Sequence, residues 1–391
     1  MFADAGARRA VNCASPSGTI RRARPSDRAE LGALMDRAFR LPLAEQIGPF
    51  LGEARIGDHW VIEDDGRLVS AIGFYPHRFR WGGVEFEVAA VGQVCTDPER
   101  RGGGHMTALL RHILPLADAC DFVWLDGDRL RYGRYGWAPG GLRYGFGFGA
   151  RNLPAPPPAD AVEVCDVADC AADLAAALES APQALLFAPG ETAALFRAGR
   201  GRDFRVARLG RSRIAFNRAG DTVVHGEGDE AELALLLSAR LAARTAAAPA
   251  GSKPGLEAFC GPDPSPWLDC CSRRFAWVWR TVSDSFRVGA LERFCRRACR
   301  AAQPRVSAGD GALALRNADN GQTVVLECRG GRLSARAARP DEPCRELTTQ
   351  QLSEFFFGVC PPETVLPDYP PDSPFRRVFP LPLCTSKLVS L

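Results

Sequence analysis

A run of three glycines behind two arginines, Arg100-Arg101-Gly102-Gly103-Gly104, stands between a β-rich stretch ending at Thr96 and a helical stretch starting near His105. Strand, glycine loop and helix in that order leave few folds open. Glycines let the backbone turn with its N–H groups pointing inward. The helix behind them adds the partial positive charge of its N-terminus, so the element is a cradle for a pyrophosphate. Arg100 and Arg101 add guanidinium donors. A dinucleotide-binding fingerprint does not fit, because no Gly-x-Gly-x-x-Gly directly follows the first strand. A P-loop does not fit either, because no Gly-Lys-Ser/Thr follows the glycines. Taken alone, the loop also reads as a flexible turn with solvated arginines, so its context has to decide.

That context is a β meander. Residues 20–24 read as a short strand, and Ser26 or Asp27 can cap a helix carrying Leu31, Leu34, Met35 and Ala38 at helical spacing. A second helical stretch lies around 43–51. Strands follow at 59–63, 67–75 and 84–95, with a turn at Asp64-Asp65-Gly66. After the glycine loop come a helix over 105–117 and a buried strand over 122–125. A Tyr/Gly-rich segment then runs to Gly149.

The stretch 152–159, Asn-Leu-Pro-Ala-Pro-Pro-Pro-Ala, can continue neither a helix nor a central strand and marks a linker. Behind it a second α/β unit weakly echoes the first, with strands at 162–165, 204–209, 213–217 and 222–226 and helices at 167–178 and 230–243. From about Phe275 the pattern changes again. An amphipathic helix over 288–302 leads into strands at 312–316, 323–327 and 332–337, a helix at 348–357 and a Pro-rich tail. The expected organisation is a loose tail over 1–18 and units over 19–150, 151–275 and 276–391. The expected fold class is α/β (α+β).

Composition excludes several classes of function. Hydrophobic residues make up 46% and charged residues 24%, as in ordinary soluble domains. Forty-nine basic against 46 acidic side chains leave a net charge of +3, too small and too evenly spread for a nucleic-acid partner. The 14 cysteines include no Cys-x-x-Cys pair, and the five histidines stand at no ligand spacing to them, so no metal is expected. No apolar h-region follows Arg8 and Arg9, and no window of 18 apolar residues occurs. Reduced thiols in a cytoplasmic protein without a membrane span are therefore the expectation.

Downstream of the glycine loop stands Asp126-Gly-Asp-Arg-Leu-Arg-Tyr132-Gly-Arg-Tyr-Gly-Trp137. A phenol stays protonated at neutral pH and can donate to sulfur, so Tyr132 is a candidate acid. It also reads as a tyrosine packed across a sheet edge. Asp126 and Asp128 either attract a cationic amine or cap turns.

The order strand, helix, meander, glycine loop and helix, with Arg101 and Gly104 in place, resembles motif A of the GNAT N-acetyltransferases. Their loop reads Arg/Gln-x-x-Gly-x-Gly/Ala. Met106 departs from this at the final small position. The resemblance implies that acetyl-CoA is the co-substrate. In that case the main chain of Val94, Cys95 and Thr96 pairs with the pantetheine arm, and Arg101, Gly102, Gly103, Gly104, His105, Met106 and Thr107 hold the pyrophosphate. It also implies that Tyr132 protonates the departing thiolate. The Cys95 side chain is expected to be a small buried residue rather than an acyl carrier.

The three-unit architecture is similar to the enhanced-intracellular-survival type within that family, with tandem GNAT-like domains and a small sterol-carrier-like module. The second unit has Glu227-Gly-Asp-Glu230 where an arginine-bearing glycine loop would stand, so it is expected to be a degenerate, non-catalytic copy. The aromatic run Phe355-Phe-Phe357 either lines a cavity or fills a core, and no bound lipid is expected. The resemblance further implies that the terminal carboxylate, at Leu391, acts as the base. The tail departs from the family's aromatic ending with Cys384-Thr-Ser-Lys-Leu-Val-Ser-Leu391. The implied function is acetyl transfer to an amine of a small molecule or peptide by direct attack on the thioester. The alternative is a non-catalytic acyl-CoA- or lipid-binding regulatory protein. The acceptor and the oligomeric state, a homo-oligomer included, are left open.

Overall fold

The computed structural model of the chain describes residues 18–198, 203–306 and 309–385. The fold of these described residues is mixed α/β, built on three sheets.

The first sheet runs in the order Thr19–Arg22, His59–Asp64, Arg67–Trp81, Val84–Thr96, Phe122–Leu125, Asp284–Val288 and Ala138–Gly140. Its first four strands are an antiparallel meander. Phe122–Leu125 then pairs parallel to the fourth. Between those two strands the helix His105–Ala119 crosses one face. It buries Leu109, Leu110 and Ile113 completely against Ile62, Ile72 and Val123. Each such side chain contributes about 1.5–3 kcal/mol relative to exposure, which fixes the helix and the loop at its head.

The second sheet runs Trp277–Thr281, Arg143–Phe148, Leu256–Cys260, Thr222–Glu227, Ser212–Asn217, Phe204–Leu209 and Glu163–Asp166. The helix Glu230–Ala247 packs on it through Leu233, Leu236, Leu237 and Leu241. The third sheet has four strands, Arg332–Arg336, Thr323–Arg329, Gly311–Asn317 and Arg345–Leu347.

The sheets do not divide at 150 and 275, where the linker and the change of pattern put the expected boundaries. Arg143–Phe148 lies in the second sheet although it precedes the linker. Ala184–Leu186, after the linker, pairs with the outer end of Arg67–Trp81 in the first. Trp277–Thr281 likewise belongs to the second sheet and Asp284–Val288 to the first. The chain thus changes sheets at Gly141-Leu142 and again at Val282-Ser283. The proline-rich stretch shows where regular structure is impossible, whereas sheet membership depends on partners more than a hundred residues away. Pro154 in that stretch lies against the second unit, accepting a hydrogen bond from Ser238 Oγ at 2.6 Å.

The aromatic run fills a core. Phe355, Phe356 and Phe357 are fully buried, packed among Phe286, Phe294 and Phe379. This cluster joins the third module and the tail to the first sheet. Among the described residues, no helix is long and apolar enough to cross a membrane.

Candidate active site

The two central strands of the first sheet part company. Val84–Thr96 pairs with Phe122–Leu125 through Val88↔Phe122, Ala89↔Val123 and Ala90↔Trp124, and there the pairing ends. From Val91 to Thr96 the strand is held, among the described residues, on one side only, by Arg67–Trp81. The result is a cleft whose wall is an open strand edge.

A bulge shapes that edge. Gly73 faces Gly92 and Ala71 faces Cys95, so Gln93 and Val94 together oppose Ile72. Gln93 takes φ +48°, one of three positive values among the described non-glycine residues. The other two, Arg40 and Asp65, sit at a helix end and a turn. A left-handed glutamine inside a strand is strained and requires support. Cys95 behaves as expected of a core residue. It is 6% exposed, and burial pushes its thiol up to about 12. Ser70 Oγ ties this stretch down, donating to Cys95 O at 2.7 Å and meeting Thr96 Oγ1 at 2.9 Å.

The glycine loop closes one end of the cleft. Gly102 and Gly104 take φ +87° and +79°. Gly104 is the residue that caps the helix, and no side chain of the described residues caps its first amides. The first intrahelical bond at this end runs from Ala108 N to Gly104 O, so the amides of His105, Met106 and Thr107 have no partner among the described residues and are open to a ligand or water. His105 is 5% exposed, with neither ring nitrogen hydrogen-bonded among the described residues. A Cβ on Gly103 would stand 2.7 Å from its Cε1. A buried imidazole lacking partners beneath a glycine loop suits an anionic group that supplies them. The arginines are partly engaged. Arg100 pairs with Asp64 at 3.2 Å, and Arg101 Nη2 donates to Ala38 O at 3.1 Å.

Tyr132 lies in the same packed cluster as Val91, Val94 and Met106. Its ring rests over Gly127, where a Cβ would collide with it, and lies edge-on to Trp137 at 6.4 Å. Burial raises its pKa, with Arg131 working the other way, so the phenol is protonated at neutral pH. Three long-range contacts hold this segment. Tyr135 Oη donates to Thr107 Oγ1 at 3.2 Å, joining the Tyr132 turn to the glycine-loop helix. The buried Arg287, from the strand that returns after the second unit, donates from Nε to Tyr135 O at 2.9 Å and pairs with Asp118 at 2.7 Å. Gly136 leaves room for Thr349 and the Arg287 guanidinium. Asp128 takes the turn-capping role, accepting from Leu130 N at 2.8 Å.

The tail reaches the same region. Leu142 N donates to Leu383 O at 2.9 Å, and the Arg143 guanidinium donates to Thr385 O at 2.8 Å. Thr385 N donates to Ser283 Oγ at 3.0 Å, and its hydroxyl bonds the Asp284 carboxylate. Because Ser285 stands opposite Leu125, Asp284 lies where Phe122–Leu125 runs out into Asp126. Burial raises its carboxyl to about 6. Hydrogen bonds from Thr385 and Ser283 oppose that shift, as does Arg143, while the Asp126 charge adds to it. Leu391 lies outside the described residues. Gln93, Arg287 and Asp284 carry no motif, and only their long-range partners single them out.

The second unit has a cleft of the same design. Thr222–Glu227 pairs parallel to Leu256–Cys260 only at Thr222↔Glu257 and Val223↔Ala258, and a bulge at Val224 follows. Its helix, however, begins on Asp229, whose carboxylate accepts from Ala231 N at 2.8 Å and Glu232 N at 3.2 Å. Glu227 pairs with Arg213, and the Trp267 ring lies on Gly226. A cavity of about 390 Å³ remains, closed on one side by Cys384 and Thr385. Among the described residues, no group of acidic, histidine and cysteine side chains could hold a metal ion.

Comparison with known proteins agrees with this geometry. Residues 19–140 match the model of the acetyltransferase (GNAT) domain. A probable N-acyltransferase from Enterococcus faecalis shares the fold at 15% identity and TM-score 0.65, over 90% of this chain and 92% of that one. Eis1 from Mycobacterium abscessus does so at 15% identity and TM-score 0.60, over 94% and 97%. A GCN5-related N-acetyltransferase from Kribbella flavida shares it at 17% and 0.57, over 86% and 88%. No curated protein matches the sequence.

Proposed function

We propose that the chain is an N-acetyltransferase that takes acetyl-CoA as co-substrate and passes the acetyl group directly to an amine. The observation that carries this reading is the meeting, in one packed cluster, of an open bulged strand, a glycine-headed helix with free amides, and a buried protonated tyrosine. The match of residues 19–140 to the acetyltransferase domain supports it.

In this reading the main chain of Val94, Cys95 and Thr96 pairs with the pantetheine arm. The amides from Gly102 to Thr107, with His105 and Arg101, hold the pyrophosphate. The amine nitrogen attacks the thioester carbonyl carbon while backbone amides near Val94 polarise its oxygen. The C–N bond forms, the C–S bond breaks, and Tyr132 gives its proton to the leaving thiolate. The amine's proton leaves to the Leu391 carboxylate or through water. The docking of the tail beside Asp284 supports the carboxylate. An amine is a competent nucleophile once deprotonated and aligned, so positioning supplies much of the rate. The third module is read as a sterol-carrier-like buttress for the Tyr132 turn, and the reduced thiols as those of a cytoplasmic protein.

The test is thiol release from acetyl-CoA in the presence of polyamines, aminoglycosides and lysine peptides, for the wild type and Tyr132→Phe. The variant is expected to lose about one to three orders of magnitude in turnover with acetyl-CoA affinity intact. Unchanged turnover would remove Tyr132 from the mechanism. Tight CoA binding without turnover on any amine would favour the non-catalytic binding protein.

A further inference from the structure

The strained residue of the cofactor strand is anchored from behind. On the face away from the glycine-loop helix, the Tyr75 hydroxyl meets both the Gln93 carboxamide and His59 Nε2, the latter at 2.8 Å. His59 Nδ1 in turn lies 3.1 Å from Ile56 O. All three side chains are buried, His59 and Tyr75 completely and Gln93 to within 8%. The column has one consistent set of protons. A backbone carbonyl only accepts, so Nδ1 carries hydrogen. Burial lowers the pKa of His59 to about 4, so the ring is neutral and Nε2 accepts from the Tyr75 hydroxyl. The carboxamide oxygen of Gln93 stands against the phenol, which has a single proton to give; with that proton given to His59 Nε2, the amide must turn its NH2 to the phenol oxygen, an orientation that only the network assigns.

Sequence and packing both serve this column. Gly73 has no Cβ because the Tyr75 hydroxyl occupies that space. The Arg55 guanidinium lies over the Tyr75 ring at 5.9 Å and pairs with Asp58 at 2.5 Å. It also pairs with Glu191 of the second unit at 2.9 Å. A solvated glutamine at the bulge would relax toward negative φ, whereas a carboxamide fixed to a buried phenol cannot.

We infer that the Ile56–His59–Tyr75–Gln93 column is a positioning device that holds the Gln93 bulge, and with it the Val94 amide, in fixed aim at the thioester carbonyl. Arg55 and Glu191 brace it, which gives the second unit a part in the first unit's chemistry. The inference rests on the acetyl-CoA reading above.

The test uses acetyl-CoA labelled with carbon-13 at the thioester carbonyl, bound to the full chain and followed by difference infrared spectroscopy. This readout needs no acceptor. In the wild type, the bound carbonyl stretch is expected below that of free acetyl-CoA. Tyr75→Phe and Gln93→Met, both close in shape, should each return it toward the free position while changing acetyl-CoA affinity by less than about threefold. With an active acceptor, kcat should fall on the order of tenfold. The double variant should shift no further than either single one, because both remove the same anchor. A stretch that stays at the wild-type position in folded variants overturns the inference. So does a loss of affinity as large as the loss of kcat, which would mean that the column merely supports the strand. Failure of the wild type to bind acetyl-CoA overturns the proposed function itself and is seen before any variant is made.

Discussion

The two helices that follow the bulged strands begin differently. In the first unit the helix starts on Gly104, in a left-handed conformation and, among the described residues, with no side chain over its first amides. In the second it starts on Asp229, whose carboxylate accepts from two of them. Both units keep the same framework: parallel central strands that pair over two or three residues and then part, with a bulge beside the parting. A carboxylate at a helix N-terminus is the internal equivalent of a bound phosphate. The second unit has therefore filled its own anion site and placed Trp267 across its cleft. A fold that opens a cleft is thus separable from the few residues that leave it free for a ligand.

Transferring one cap to the other position tests this most severely. Gly104→Asp puts a carboxylate where the pyrophosphate is proposed to bind, on a left-handed residue that tolerates a side chain poorly. Acetyl-CoA affinity should fall on the order of a thousandfold, far more than for Gly104→Ala, which adds strain alone. Isothermal titration of both variants decides, and equal losses would sink the electrostatic account.

The tail stands between the two clefts, and its anchor is expected to titrate. Because the Asp284 carboxyl is held at about 6 in the native state, above its ordinary 3.8, the unfolded chain ionises first as pH rises. Its contribution to stability is full below about pH 4 and declines through about pH 6, by roughly 2–3 kcal/mol in all. Asp284→Asn should flatten that part of the profile. Urea midpoints measured from pH 4 to 7 give the check, and parallel profiles for wild type and variant would contradict it.

A smaller effect is expected at the second helix. Asp229→Ala should cost about 1 kcal/mol of stability, and Asp229→Gly only a few tenths, read as shifts in the thermal midpoint. Neither should create a second site. Binding of two acetyl-CoA per chain by either variant would show that the cap alone silenced the second unit, and that Glu227 and Trp267 do not matter.

Much of the first cleft was legible in the sequence because its parts are contiguous. The glycine loop, the strand before it and the helix after it fall within 91–112, and Tyr132 follows shortly on a turn marked by its glycines. The strands that complete the sheets were not legible. Arg143-Tyr-Gly-Phe-Gly-Phe148 reads as irregular, yet Gly145 and Gly147 are there because the rings of Trp279 and Trp277 lie against them from the neighbouring strand. Ala138–Gly140 contains a proline and finds its place only beside Asp284–Val288. The same limit applied to the site. Gln93 is an unremarkable residue until Tyr75 and His59 are seen behind it, and Arg287 until its bond to Tyr135 O is seen.

The sequence by itself thus determined the local elements: where a helix must begin without a cap, where glycine alone can turn, and which tyrosine follows. These depend on backbone conformation and on neighbours a few residues away. Only the tertiary structure decided which strands share a sheet, what holds the bulge in its strained shape and where the tail docks. Those depend on burial and on hydrogen bonds between residues far apart in the chain, and a buried polar group is stable only when such a partner reaches it.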